Sequence, residues 1–100
     1  MARKTKRIIT RSAAGLAKAF GLTPADGAEI ELRSSLNSKI ADEVRRNGYT
    51  HAEVARRAGT SRTRVTAIVN RNTKDISTDL LLRVLYALGW TAQVRFKRAA

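Results

Sequence analysis

Cysteine is absent from this 100-residue chain, and histidine occurs once, at His51. These absences exclude disulfides, thiolate metal sites and histidine metal clusters, and they suit a reducing cytosol. No apolar run approaches the roughly 20 residues that span a bilayer. The start, MARKTKR, could open a signal peptide, but Arg11 and Lys18 interrupt any apolar core after Ile8 and Ile9. An Arg-rich transit peptide is the remaining alternative to the cytoplasmic location that we expect.

Acidic residues are scarce, since eight Asp and Glu stand against 20 Lys and Arg and the net charge is +12. Such a balance favours polyanionic partners, nucleic acid before an anionic membrane surface. Residues 1–22 and 56–74 hold six basic residues each and no acid, whereas residues 23–55 have a net charge of −2. Because a solvated face mixes charges of both signs, the two basic segments predict a surface that faces phosphates.

One small globular domain is what this length and an apolar content of 43% allow. We expect a basic arm over residues 1–11 and a mostly helical domain over residues 12–98, with about five helices and a C-terminal strand. The helices are expected to begin at residues that cap them, and all but one to end near glycine or Asn47-Gly48. The expected starts are Ser12, Thr23-Pro24, Thr50 with Glu53, Ser61, and Ser77. Apolar residues four apart, Leu32, Leu36, Ile40 and Val44, predict the core face of the long helix.

The segment from Thr50 to Asn70 meets the packing demands of a helix-turn-helix. Ala55 is small enough for two helices to cross, and Gly59 tolerates the left-handed backbone of a tight turn. Four apolar residues are spaced to fix both helices to the domain: Val54, Ala58, Val65 and Ile68. Several independent demands are met within about 20 residues, so the sequence predicts a domain that inserts a helix into the DNA major groove.

These residues carry a resemblance to a known family. The run LRSSLNSKIADEVRRNGYTHAEVARRAGTSRTRVTAIVN, followed by ISTDLLLRVLYALGW, resembles the XRE-type (lambda-repressor-like) helix-turn-helix family, and within it the small regulators of the HigA antitoxin type. The likeness covers roughly residues 12–97. It implies a lambda-repressor-like helical domain. The family usually has Gln where this chain has His51, and an apolar residue where it has Thr60.

Five residues occupy the groove-facing positions of that family: Ser61, Arg62, Thr63, Thr66 and Ala67. Their chemistry agrees with base reading, because an arginine at the helix start can pair with guanine O6 and N7, and threonine can bond either kind of base edge. Contacts to phosphate are expected from eight others: Thr50, His51, Arg57, Arg64, Asn70, Arg71, Asn72 and Lys74. The arm is expected to add Arg3, Lys4, Lys6 and Arg7, although it could be merely solubilising.

Residues Trp90 to Lys97 alternate in polarity, as a strand does. A lone strand lacks hydrogen-bond partners, so it must pair with its own copy or with residues 6–10. We favour the copy, because a two-fold dimer also suits groove reading. The expected dimer contacts are Trp90, Ala92, Val94 and Phe96, with base stacking as the alternative for that face.

The leading functional hypothesis is a homodimeric repressor that binds an inverted-repeat operator on duplex DNA, in the cytoplasm and on the nucleoid. The resemblance implies a second role, as the antitoxin of a type II toxin-antitoxin pair that neutralises a toxin protein. The alternatives are a phage or mobile-element regulator without a toxin, and a non-specific nucleoid protein. No carboxylate pair, nucleophile or phosphate loop is arranged for chemistry, so we expect no enzyme, no cofactor and no metal.

Overall fold

The structure, a computed structural model, describes residues 23–99. This range forms four helices: α1 is Pro24–Asn47, α2 is His51–Ala58, α3 is Arg62–Val69 and α4 is Thr78–Ala87. The boundary between two compact units falls inside α1, between Ser35 and Leu36. The predicted arm, with Arg3, Lys4, Lys6 and Arg7, and the short helix predicted after Ser12 lie outside the described residues.

Helix α1 begins where the Thr-Pro pair predicted. The backbone N–H of Asp26 donates to the Thr23 hydroxyl at 3.1 Å, and the Asp26 carboxylate accepts from the Thr23 backbone N–H and hydroxyl, both at 2.9 Å. The bond from the Thr23 backbone is the larger cause that lowers the pKa of Asp26 below its ordinary value. Two orphan donors at the helix start are satisfied in this way.

The other three helices begin in one common way. Thr50, Ser61 and Ser77 have extended backbones, and each side-chain oxygen accepts from a backbone N–H three residues on. The donors are Glu53, Arg64 and Leu80. Each cap is worth about 1 kcal/mol. All three starts were predicted from sequence, because a cap involves residues only three positions apart.

The core of the second unit combines apolar side chains from all four helices. Its buried members are Leu36, Ile40, Val44, Val54, Ala55, Ala58, Val65, Ile68, Ile76, Leu80, Leu81, Val84, Leu85 and Leu88. One prediction for the long helix was wrong: Leu32 is 45% exposed. The four-residue apolar spacing of α1 continues by one turn beyond the part of the helix that is buried, so spacing alone overestimates the core.

The turn between α2 and α3 has the geometry predicted for it. Gly59 has a φ of 68°, in the left-handed region that favours glycine. Its N–H donates to the Arg56 carbonyl at 3.4 Å, and the N–H of Thr60 donates to the Ala55 carbonyl at 2.9 Å. These bonds end α2 and start the chain toward α3 within three residues.

The predicted C-terminal strand is not formed. Residues 90–99 have neither helical nor strand structure, and Val94 and Phe96 are 71% and 92% exposed. The physical reason is that a strand needs a ladder partner, and no other segment of residues 23–99 is a strand. The other partner considered, residues 6–10, lies outside the described range. Residues 23–99 therefore contain the four helices expected for this range and no sheet, and only the expected strand is missing.

Candidate nucleic-acid interface

Helix α3 presents a polar face to solvent. Val65 and Ile68 are completely buried beneath it. Ser61, Arg62 and Thr63 are exposed, whereas Thr66 and Ala67 are half-buried and Ala67 also packs on the core. The structure thus leaves the first three of the five predicted base-reading residues open to solvent and covers the last two in part.

The middle of α3 is held by α2. The small side chain of Ala55 is buried on α2, as the predicted crossing of two helices requires. In addition, His51 Nδ1 lies 2.7 Å from the hydroxyl oxygen of Thr66, a hydrogen-bond distance between the two helices. Both residues line an open cleft of about 350 Å³ with Thr50, Ala52 and Arg62. Sequence reasoning assigned His51 and Thr66 separately to phosphate and base, and it missed the bond between them.

The end of α3 is held by α1. The buried Asn37 amide donates to the backbone carbonyl of Ile68. The neighbouring Ser38 hydroxyl accepts a hydrogen bond of 2.9 Å from the Arg71 guanidinium. Sequence reasoning missed Asn37 and Ser38. A signal was available for Asn37, because it lies four residues before the buried Ala41, on the inward face of α1.

The residues predicted to contact phosphate are spread around α3. His51 is half-buried, and the remaining seven are exposed: Thr50, Arg57, Arg64, Asn70, Arg71, Asn72 and Lys74. Arg57 differs from the others, because it is 3.6 Å from the Glu53 carboxylate and lies over the Tyr49 ring at 5.2 Å. These contacts hold its guanidinium along α2, and they make Arg57 the least available of the predicted cations.

Three cations of α1 are paired with acids of the same helix, whereas the cations of α3 are not. Lys39 and Arg46 lie 3.4 and 3.9 Å from the Glu43 carboxylate, and Arg45 lies 3.8 Å from Asp42. By contrast, the two cations of α3 and the two of the loop that follows it form no ion pair with any residue in the 23–99 range: Arg62, Arg64, Arg71 and Lys74. Unpaired cations around an exposed polar helix make a surface that attracts a polyanion.

Trp90 belongs to the fold of the single chain. Its ring lies 3.5 Å from Lys39 Nζ. Lys39 Nζ in turn lies 3.4 Å from the carboxylate of Glu43, which is 7% exposed. Burial raises the pKa of Glu43, but hydrogen bonds from Trp90, Lys39 and Asn47 outweigh it and lower the pKa below its ordinary value. Of the four residues predicted to form the dimer, Trp90 contacts Lys39 of its own chain and is still 45% exposed, and Ala92, Val94 and Phe96 are exposed as well.

Two short helices joined at a left-handed glycine, with a cationic second helix fixed over a small core, define a helix-turn-helix DNA-binding domain. The helix-turn-helix domain family matches residues 19–97, and the chain belongs to that family. Comparison with curated proteins and with solved structures finds no match. No helix among residues 23–99 is long and apolar enough to cross a membrane.

Proposed function

We propose that this chain is a sequence-specific transcriptional regulator that inserts α3 into the major groove of duplex DNA, in the cytoplasm and on the nucleoid. The observation that supports this most is the anchoring of the second half of α3 from two sides, by His51 of α2 at Thr66 and by Asn37 of α1 at Ile68, under a face with no acid. An anchored helix loses little freedom on binding, so its side chains can discriminate between bases.

Arg62 is the main base reader in this proposal. It is exposed in the first turn of α3, where a helix in the major groove comes closest to the base edges. A bidentate pair from its guanidinium to guanine is worth roughly 1–3 kcal/mol of discrimination. Thr63 bonds a base edge beside it, and Ala67 contacts a thymine methyl. Ser61 has a smaller share, since its side-chain oxygen already caps α3.

Thr66 would read a base with a hydroxyl whose rotation is restricted by its hydrogen bond to His51. The bond to His51 uses either its donor or one of its acceptor lone pairs, depending on the imidazole tautomer. The His51 ring thus holds the Thr66 hydroxyl in one orientation. It also decides whether that hydroxyl offers the base a donor or only an acceptor. This role differs from a phosphate contact and comes in addition to it.

Two groups of residues would contact the DNA backbone on the two sides of α3. On one side are Thr50 and His51 at the start of α2, where free N–H groups and the helix dipole favour an anion. On the other side, the segment after α3 supplies Asn70, Arg71, Asn72 and Lys74, with Arg64 at the groove edge. Such contacts position the protein without reading sequence, and each adds about −0.9 to the slope of log affinity against log salt.

We further propose that two copies pair through residues 91–97 as antiparallel strands with the two-fold axis at Val94. Charge disfavours a two-fold axis at Arg95, because that axis would place the arginine opposite its copy. The axis at Val94 pairs each cation with a neutral residue: Arg95 with Gln93, Lys97 with Thr91, and Phe96 packs on Ala92. A dimer of this kind would probe half-sites about 34 Å apart. Pairing with residues 6–10 is the competing arrangement.

The proposal is tested by selecting bound sequences from random duplexes. A regulator returns an inverted repeat with one motif in each half-site, whereas a non-specific nucleoid protein returns no motif. The matched pair of variants is Arg62→Ala, which removes a base contact, and Lys74→Ala, which removes a phosphate contact. If the Arg62 variant selects the same motif, with the same base preference at every position, then Arg62 is not a base-reading residue.

An antitoxin role is the second candidate. It rests on the resemblance to HigA-type regulators and on two exposed apolar side chains of α1, Ile30 and Leu32, which a protein partner could cover. Co-purification of a small protein encoded beside this one, lost on Ile30→Ser and Leu32→Ser substitution with DNA binding retained, is the expected result. If the neighbouring gene does not encode a small protein that co-purifies, a phage or mobile-element regulator is favoured.

A further inference from the structure

All four helices of residues 23–99 end in one way. The chain turns at a residue of positive φ: 65° at Gly48, 68° at Gly59, 60° at Arg71 and 90° at Gly89. In each case the N–H of this residue donates to the carbonyl three positions back, and the next N–H donates to the carbonyl five positions before it. For α3 these bonds run from Arg71 to Ile68, at 3.1 Å, and from Asn72 to Ala67, at 2.8 Å.

Three of the four left-handed residues are glycine, and the exception ends the helix that faces DNA. A Cβ added to any of the three glycines would meet nothing within 4 Å. Glycine is therefore favoured there by the backbone conformation and not by a lack of space. Arg71 accepts a conformational strain that glycine in the same position would not carry.

The Arg71 side chain has a specific place in the structure. Its Nη1 donates to the Ser38 hydroxyl at 2.9 Å, a contact between residues 33 apart in sequence. The guanidinium has five N–H donors. The side chain remains exposed and has no ion-pair partner among residues 23–99. Ser38 thus orients the guanidinium and leaves most of its donors open to solvent, beside the exposed Asn70 at the end of α3.

We propose that Arg71 is kept in a strained position because, oriented by Ser38, it clamps a backbone phosphate of the duplex at the C-terminal edge of α3. Here the chain gives up stability for DNA affinity. A planar guanidinium can bond two phosphate oxygens at once. Ser38 is the positioning residue that orients this plane before binding and so lowers the cost of ordering the side chain. This inference rests on the DNA-binding function proposed above.

The test compares three variants of the full chain, Arg71→Gly, Arg71→Ala and Ser38→Ala, by thermal melting and by DNA affinity over a series of salt concentrations. Both Arg71 variants lose the side chain, and only glycine relieves the strain. We expect Arg71→Gly to melt about 4–8 °C above Arg71→Ala. We also expect both to bind about tenfold more weakly than the wild type, with the magnitude of the salt slope smaller by about 0.9.

Ser38→Ala separates positioning from charge. It leaves the cation in place, so we expect the salt slope of the wild type together with an affinity a few-fold weaker. A purely structural Arg71 would give the opposite pattern, since Arg71→Gly would then bind like the wild type with an unchanged slope, and that result overturns the inference. Equal melting temperatures for Arg71→Gly and Arg71→Ala would overturn the exchange of stability for affinity. If the wild type itself fails to bind any duplex at low salt, the proposed function falls instead.

Discussion

Replacement of Asn37 tests how the end of the recognition helix is held. Asn37 is 5% exposed on α1, and its amide donates to the backbone carbonyl of Ile68. Asn37→Ala deletes this donor and leaves a small void in a packed region. The Ile68 carbonyl is not orphaned, because it still accepts from the Arg71 backbone N–H at 3.1 Å.

The expected loss of stability in Asn37→Ala follows from that remaining bond. A net hydrogen bond contributes about 1 kcal/mol, and an abandoned buried partner would raise the cost to about 3 kcal/mol. Since the Ile68 carbonyl keeps one donor, we expect Asn37→Ala to lower the free energy of unfolding by about 1–2 kcal/mol. For a domain of this size, each kcal/mol corresponds to about 4–8 °C in melting temperature.

Asn37→Asp is the sharper variant, because it is nearly isosteric and replaces the donor by an acceptor. At neutral pH it places a buried carboxylate against the Ile68 carbonyl oxygen, and burying an unpaired charge costs several kcal/mol. Thermal melts followed by far-UV circular dichroism should rank the wild type above Asn37→Ala and Asn37→Ala above Asn37→Asp. A variant Asn37→Asp as stable as the wild type would show that this amide does not hold α3.

Three further outcomes are expected. Arg62→Ala should relax base preference at one position of each half-site, whereas Lys74→Ala should weaken specific and random duplexes alike in a competition assay. Val94→Cys, the only thiol in a cysteine-free chain, should form a covalent dimer on oxidation, as judged by non-reducing electrophoresis. Because the pKa of Glu43 is lowered in the folded chain, its contribution to stability is present above its ordinary value of 4.5 and is lost as pH falls through the lower folded value. The difference in melting temperature between the wild type and Glu43→Gln should therefore shrink on acidification from pH 7 to about pH 3.

Val94→Cys has a matched control variant, and each of the three predictions has a result that would contradict it. Phe96→Cys should not cross-link in the proposed register, since the two Phe96 residues lie four positions, about 13 Å, apart along the paired strands. Cross-linking of Phe96→Cys in preference to Val94→Cys would contradict the register. Equal losses on specific and random DNA for Arg62→Ala would count against base reading. A gap between wild type and Glu43→Gln that widens below pH 4.5 would contradict the lowered pKa.

The helix-turn-helix was predictable because its signals are local. The cap of α2 joins Thr50 to Glu53, the cap of α3 joins Ser61 to Arg64, and the turn depends on Gly59 alone. Interactions within one turn of helix depend little on the rest of the fold, and they survive in any tertiary arrangement. The resemblance to a helix-turn-helix family was also found from these local residues.

The strand was predicted by the same local reasoning and failed for a physical reason. Alternation of Val94 and Phe96 with Arg95 and Lys97 describes a segment that could be a strand. Whether it becomes one depends on a second segment that supplies the other half of the hydrogen bonds. Periodicity carries no information about that partner, and the single chain leaves both apolar side chains in solvent.

The sequence by itself determined where the helices of residues 23–99 begin, that Val65 and Ile68 are the buried residues of α3, and that α3 carries cations and no acid. Only the tertiary structure decided what holds α3 in place. The bonds His51 to Thr66, Asn37 to Ile68 and Arg71 to Ser38 join residues 15, 31 and 33 apart. Such contacts exist only after the helices have packed, because the relative position of two helices is set by the whole core and not by the few residues that meet.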